Sequence, residues 1–287
     1  MFSKALALLA ALALAGCARP TEVRPALWLV EGPGGQKAWL FGTIHALPRP
    51  AQWRSAKIEA ALAGSDRLVL EVARIDDDAG TAKIFAGLAQ SPGLPPLEQR
   101  VPADERDELA AAMNADGLTP GALDGYETWA AALLLQQAAT KAGASDSGNG
   151  IDRALLRGYP KPVEEFEGAA AQLAIFDRLP EAVQRALLSA ALTDPNEAAR
   201  ELERMAAAWA KADLAVIDRA TNEEFLRDPV LREALLTGRN RAWSGKLVAM
   251  LRAGEHPFVA VGTAHLVGAD GLPAMLAAQG YKVTRLQ

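Results

Sequence analysis

The phrase Gly-Thr-x-His occurs twice in this chain, each time directly after a run of apolar residues. The first copy follows residues 38–41 and ends at His45, and the second follows residues 258–261 and ends at His265. The chain has three histidines, so two of them lie in this matched context, near opposite ends of the chain. Each apolar run predicts a buried strand, and ligand sites of α/β sheets gather where strands end. We therefore expect the fold to bring both imidazoles to one site.

The other residues of the phrase suit a site at a strand end. Glycine, at Gly42 and Gly262, permits a sharp turn and a close approach of the backbone. Threonine, at Thr43 and Thr263, offers a hydroxyl to the backbone or to a substrate. Histidine can bind a metal ion or transfer a proton near neutral pH.

Glu71 lies within the apolar run of residues 68–72, which predicts a buried strand. Burying a carboxylate is costly unless a cation or a metal ion pairs with it. Two histidines and one carboxylate at strand ends would form an open site for a divalent metal, with a position left for water. The residues alone also allow an exposed Glu71 on an edge strand or a pair with Arg67 or Arg74, and histidines that only pack and donate hydrogen bonds.

The remaining pattern predicts an α/β or α+β fold. The predicted fold begins with a hairpin over residues 27–30 and 38–41, a helix over 53–63 and a strand over 67–72. It ends with strands over 258–261 and 281–286. Between them we expect mainly helices, including 196–225 and one or two helices over 230–251, and a further strand over 160–166. Arg239 and Asn240 are expected to close a helical stretch. The prediction is a mixed sheet from the N- and C-terminal segments with a large helical middle.

Composition and motifs disfavour two classes of function. The chain has 287 residues, half of them hydrophobic, and a net charge of −5 with no long basic block, so we expect no nucleic-acid binding. Residues 26–287 are expected to form a single domain. No Gly-x-Ser-x-Gly elbow is present, which disfavours a serine nucleophile.

The N-terminus predicts a bacterial lipoprotein signal. Lys4 precedes the apolar segment 5–14, and Leu14-Ala15-Gly16-Cys17 resembles a lipobox. In this interpretation residues 1–16 are removed, Cys17 carries the lipid, and residues 17–25 are a linker. Because Ala18 is not an inner-membrane retention aspartate, we expect the outer membrane, facing the periplasm, with membrane contact through the lipid alone. An ordinary secretory signal remains the alternative.

Several segments together resemble one known family. They are the two Gly-Thr-x-His phrases, the strand glutamate Glu71, Gly150-Ile151-Asp152, the segment 162–167, Arg239-Asn240-x-x-Trp243 and the closing segment 261–268. This set is similar to the TraB/GumN family over roughly residues 26–286. Phe166 and Gly168 depart from the family's Leu-Glu-Thr pattern around Glu167.

The resemblance implies a sheet fold akin to erythromycin esterase and ChaN, and a metal-dependent protease that acts on a peptide or protein. It implies His45, His265 and Glu71 as active-site residues, and the metal would be Mn, Co, Fe or Zn. Glu167, Arg239 and Asn240 become candidate catalytic residues, and Asp152 a candidate acceptor for a ligand histidine.

Each of these further residues also has an ordinary structural interpretation. Arg239 and Asn240 could be solvated at a helix end, Glu167 could be a solvated acid, and Asp152 could be an acid in the first turn of a helix. The alternative function is a non-catalytic lipoprotein that binds a metal, haem or a peptide. The sequence predicts no oligomeric state.

Overall fold

The computed structural model describes residues 23–142, 146–192 and 194–287, so the predicted signal segment and Cys17 lie outside the described residues. A six-stranded sheet forms the centre of the molecule. Its strands are β1 (Leu27–Glu31), β2 (Lys37–Thr43), β3 (Arg67–Leu70), β4 (Val163–Glu165), β5 (Pro257–Gly262) and β6 (Lys282–Arg285).

The strand order is β4-β3-β5-β2-β1-β6. Strands β4, β3, β5 and β2 are parallel neighbours, whereas β1 is antiparallel to both β2 and β6. The predicted hairpin is confirmed, with Glu31 opposite Lys37. β5 lies between β2 and β3, so the four parallel strands end at one side of the sheet, which we call the carboxyl edge.

Helices cover both faces of the sheet and form the middle of the chain, which confirms the predicted α/β class with a mixed sheet. Residues 220–225 and 233–237 are π-helical. The α-helices are α1 (Ala56–Gly64), α2 (Asp78–Leu88), α3 (Arg106–Ala115), α4 (Thr128–Ala142), α5 (Ile151–Gly158), α6 (Ala169–Asp177), α7 (Glu181–Ala191), α8 (Pro195–Ala210), α9 (Leu214–Arg219), α10 (Pro229–Arg232), α11 (Gly238–Arg252) and α12 (Leu272–Ala278).

Alternation along the strands separates two apolar layers, because successive side chains of a strand point to opposite faces. Leu40 packs on one face with side chains of α11 and α12, and its neighbour Phe41 packs on the other with α1 and α5. A further cluster joins α3, α4 and α7 in the helical middle. The central strands of the sheet are thus buried on both faces.

Three of the predicted boundaries are wrong. Glu71 is not inside β3 but directly after it. The helix expected over 196–225 is broken after Ala210, where Ala212 adopts a φ of +49° and Asp213 caps α9. Arg239 and Asn240 do not close a helix; they lie in the first turn of α11.

No helix within the described ranges combines the length and the hydrophobicity that crossing a bilayer requires.

Candidate functional site

The two histidines and Glu71 meet at the carboxyl edge. His45 lies two residues beyond β2, Glu71 directly follows β3, and His265 lies in a short 3-10 turn after β5. A Cβ placed on Gly262 would lie 3.4 Å from Glu71 Oε1, 3.6 Å from His45 Nε2 and 3.8 Å from His265 Cδ2. The side chains therefore converge on one glycine, whose missing side chain leaves room between them.

Hydrogen bonds join the two copies of Gly-Thr-x-His directly. Thr43 pairs with Gly262 at the ends of β2 and β5. The Thr263 hydroxyl donates to the carbonyl oxygen of Thr43 over 2.9 Å. A Cβ on Gly42 would lie 2.6 Å from Thr263 Oγ1, so the first copy needs glycine for this contact. The repeat thus builds one structure from two distant segments.

His45 is oriented by Asp152. Its Nδ1 lies 2.9 Å from Asp152 Oδ2, and Asp152 Oδ1 accepts a hydrogen bond of 2.6 Å from the Thr43 hydroxyl. Because a carboxylate only accepts, Nδ1 must carry hydrogen, and Nε2 is the atom directed towards Gly262. The negative charge of Asp152 raises the pKa of His45 to about 9, although 70% of the imidazole side chain is exposed.

His265 is buried and oriented by Asn240. The Asn240 amide nitrogen donates to the carbonyl oxygens of His265 and Asp270, over 3.3 and 2.7 Å, so its oxygen faces His265 Nδ1 at 2.7 Å. His265 therefore carries hydrogen on Nδ1 and a lone pair on Nε2 when neutral. Burial lowers the pKa of His265 to about 4, so the ring is neutral at pH 7.

Arg239 links the acidic residues of the site. Its guanidinium donates to Glu71 Oε2 at 2.7 Å, to both carboxylate oxygens of Glu167 at 2.9–3.1 Å, and to His265 Nε2 at 3.2 Å. The backbone N–H groups of Glu167 and Gly168 both donate to the carbonyl oxygen of Glu71. Helix α11 and the end of β4 thus place a cation between two nearly buried carboxylates.

Glu71 remains ionised in spite of its burial. Burial alone would raise its pKa, but the charges of His265, His45 and Arg239 and the hydrogen bond from the Gly262 N–H outweigh it and lower the pKa to about 2. The Gly262 N–H donates to Oε1 over 2.8 Å. Near pH 7 the site therefore contains an anionic Glu71, a protonated His45 and a neutral His265.

Two contributing residues were missed by the sequence analysis. Gln172 on α6 donates to Glu71 Oε2 over 3.0 Å, and nothing in its alanine-rich segment indicated this. Trp243, named in the Arg239-Asn240-x-x-Trp243 motif but given no role at the site, donates to Glu167 Oε1 over 2.9 Å. Its ring lies 4.5 Å from both the His265 ring and the Arg239 guanidinium carbon. Its spacing from Arg239, four residues on one helix, was the available signal.

Other candidates lie away from this cluster. The third histidine, His256, contacts Lys37 near the opposite ends of the strands. Arg67 pairs with Asp66, Glu164 and Glu255, so it is not the partner of Glu71. Glu71 is also not exposed on an edge strand, because β3 lies between β4 and β5.

The side chains at the site are of the types that bind metal ions, but they are not arranged as a metal site. Each ring has its Nδ1 hydrogen held by a side-chain oxygen, an arrangement that fixes ligand histidines in metalloproteins. However, Arg239 contacts both Glu71 Oε2 and His265 Nε2. As they stand, no three His, Cys, Asp or Glu side chains of the described residues are grouped to hold a metal ion. A metal ion would require Arg239 to withdraw from these atoms.

Two cavities adjoin the site and share His45 and Glu71. The first, of about 290 Å³, is mostly apolar away from the histidines, and the second has a volume of about 250 Å³. The distinctive residues of the first are Ile44, Met205, Trp209, Ile217 and Thr221. Those of the second are Val72, Ile75, Ser147, Arg153 and Gln172. An extended molecule could therefore lie across both cavities.

Comparison with known proteins identifies relatives without an assigned function. The family model described as "TraB/PrgY/gumN family" matches residues 26–285. The chain is 31% identical over 248 residues to "Uncharacterized protein YbaP" of Shigella flexneri, covering 85% of this chain and 89% of that protein. The protein of the same name from Escherichia coli (strain K12) matches with the same identity and coverage. No solved structure matches the chain significantly.

Proposed function

This chain belongs to the TraB/PrgY/gumN family, and we propose that it is a metal-dependent hydrolase that cleaves peptide bonds at the cluster around Gly262. The observation that carries the proposal is the convergence of His45 Nε2, Glu71 Oε1 and the His265 ring on that glycine. A chain that used these residues only for packing would have no need to keep the space between them free of a side chain.

In the proposal His45, His265 and Glu71 hold a divalent ion, which is Mn, Co, Fe or Zn. Such an ion would supply polarisation of the substrate carbonyl and of a water molecule. Asp152 and Asn240 fix the ring orientations through the two Nδ1 atoms, so that both Nε2 atoms face the cluster. Because His45 is protonated near pH 7, its Nε2 would have to lose a proton when the ion binds. Asn240 is completely buried and its amide is fully engaged, so we assign it this positioning role instead of direct contact with substrate.

Arg239 has a separate role. Its guanidinium lines the first cavity, and once it withdraws from Glu71 and His265 it remains held by Glu167 and by the face of Trp243. From there it can donate to the carbonyl oxygen that becomes negative during hydrolysis. Glu167 would hold this cation in place, and it could also accept the proton of the attacking water.

An extended peptide suits the surroundings of the site. Both cavities are lined by His45 and Glu71, so a chain that crossed from one to the other would present one of its bonds to the cluster. With Cys17 lipidated, the enzyme would lie in the cell envelope, at the outer membrane facing the periplasm, where peptide and protein substrates are accessible.

The first experiment is the metal content of a protein comprising residues 18–287. We expect near-stoichiometric metal in the wild type and in His256→Ala, whose histidine lies outside the site, and loss of metal in the double variant His45→Ala/His265→Ala. The same proteins are then incubated with a peptide pool, and cleavage is followed by mass spectrometry.

Two results would decide against the proposal. Absence of metal after reconstitution with each of the four ions would exclude the metal-dependent reaction. Metal or haem bound through His45 and His265, with no peptide cleaved, would instead favour the non-catalytic binding lipoprotein.

A further inference from the structure

A cluster of basic residues surrounds a cavity of about 440 Å³ where the first described residues enter the fold. We call Arg24, Lys57, Lys211 and Arg285 the basic surface. All four are exposed, and no Asp or Glu of the described part of the chain lines the cavity with them. This concentration is unexpected in a chain whose net charge is −5.

Two of these cations donate to neutral main-chain acceptors of the described residues. Lys57 Nζ donates to the carbonyl oxygen of Leu286, and Arg285 donates to the carbonyl oxygens of Gln287 and Ala212. These acceptors are neutral main-chain groups. The N-terminus of the nine-residue helix α1 also lies at the cavity and adds partial positive charge.

We propose that the basic surface docks onto the anionic phospholipid headgroups of a membrane. Arg24 lies seven residues after Cys17, and seven residues span at most about 25 Å. If Cys17 carries a lipid, this corner of the fold must stay within that distance of the bilayer. Each Lys or Arg close to an anionic surface strengthens binding about fivefold, so four of them would hold the protein against the bilayer even though a single contact is weak.

Docking would also orient the candidate site. Leu27 at the start of β1 lies opposite Phe41 near the end of β2, and the Gly42 N–H donates to the carbonyl oxygen of Ala26. The basic surface therefore borders the carboxyl edge that carries His45. An enzyme docked in this way, which rests on the proposed function, would meet substrates that lie at or near the membrane.

The inference can be tested without the lipid and without any assay of hydrolysis. All strands and helices of the described fold lie within residues 27–285, so a protein of residues 18–287 contains them. We would measure its cosedimentation at low salt with vesicles that mix phosphatidylglycerol and phosphatidylcholine in a three-to-seven ratio, and with vesicles of phosphatidylcholine alone. We expect at least tenfold stronger binding to the anionic vesicles, weakening as salt is added.

Two double variants distinguish binding through the basic surface from a general effect of the net charge. Lys57→Glu/Lys211→Glu should reduce binding to anionic vesicles at least tenfold, since each site contributes about fivefold. The control Lys83→Glu/Arg106→Glu changes the net charge equally at exposed residues of α2 and α3 and should reduce binding less than threefold. Circular dichroism shows whether Lys57→Glu/Lys211→Glu is folded. If it is not, the neutral variant Lys57→Gln/Lys211→Gln is used in its place.

Three results would overturn the inference. They are equal binding to both vesicle types, an equal loss in the control variant, and displacement from vesicles by inorganic phosphate at constant ionic strength. The last result would identify a site for a small soluble anion instead of a membrane surface.

Discussion

At the scale of single residues, the two histidines of the repeated phrase have opposite protonation states. His45 is exposed and lies beside the negative charge of Asp152, which raises its pKa to about 9. His265 is buried, and burial lowers its pKa to about 4 even though Glu71 acts in the opposite direction. One sequence motif thus supplies a charged imidazole and a neutral one to the same site.

This difference gives a direct test by NMR, because three histidines give few imidazole signals. Replacing Asp152 with Asn removes the charge that raises the pKa of His45, so the titration midpoint should fall by roughly one unit or more towards 6.5. Thr43→Val is the control, since it removes a hydrogen bond to Asp152 and keeps the charge. A midpoint that Asp152→Asn leaves unchanged would contradict the assignment.

Arg239 gives a second prediction at this scale. A lysine cannot contact Glu71, both oxygens of Glu167 and His265 together, because its ammonium lacks the planar fork of guanidinium. We expect Arg239→Lys to lower kcat about 100-fold in a peptide-cleavage assay. The matched control is Arg241→Lys, whose exposed guanidinium pairs with Glu233. Equal activity in the two variants would remove Arg239 from the proposed mechanism.

The sequence predicted that His45, His265 and Glu71 would meet, and the family resemblance added Glu167 and Arg239, but neither predicted how these residues interact. All five side chains lie in one cluster in the structure. Which cation pairs with Glu71 depends on how α11 packs against the sheet. Periodicity reports the buried face of a helix, but it does not report the neighbour of a particular guanidinium.

At the scale of elements, the two glycines of the repeated phrase have different uses. Gly42 lies against the Thr263 side chain, which a Cβ would approach to 2.6 Å. A Cβ at Gly262 would meet the site residues at 3.4 Å or more, which is ordinary van der Waals contact, and the φ of −49° suits any residue. Glycine is therefore needed for packing in the first copy and for open space in the second.

Alanine substitution should separate these uses. We expect Gly42→Ala to destabilise the fold by about 1–3 kcal/mol, since the sheet edge cannot yield to the added methyl group. Gly262→Ala should change the free energy of unfolding by less than about 1 kcal/mol but abolish metal binding and peptide cleavage. Urea unfolding and metal content measure the two effects, and each variant is the control for the other. Full metal content in Gly262→Ala would contradict the proposed site.

Most strands and helices could be predicted from the sequence, and the errors have a common cause. The break after Ala210 and the helix that continues through Arg239 both fall within uniformly helical composition. Alanine-rich segments have high helix propensity throughout, so local pattern cannot locate an interruption. The interruption is set by Asp213, which caps α9, and by the left-handed turn at Ala212.

At the scale of the whole molecule, the position of β5 decides whether a site exists. The sequence predicted a strand, a helix and a strand over residues 38–72, but it did not indicate that β2 and β3 would be separated. β5 comes from near the C-terminal end of the chain, enters between them and pairs in parallel with both. This insertion is a long-range event that no local pattern encodes, and it brings His265 beside His45 and Glu71.

The stability of the whole fold should carry a signature of the buried His265. Its pKa is about 6.5 in an unfolded chain and about 4 in the folded protein, so between these values the unfolded state binds more protons. Stability must therefore fall as pH is lowered from 6.5 to 4, with a contribution of up to about 1.4 kcal/mol per pH unit from this residue. His265→Gln should have a shallower slope over that window, measured by urea unfolding at a series of pH values. His256→Gln, at a histidine outside the site, is the control for replacing a histidine. Equal slopes in the wild type and His265→Gln would show that His265 titrates as it does in the unfolded chain.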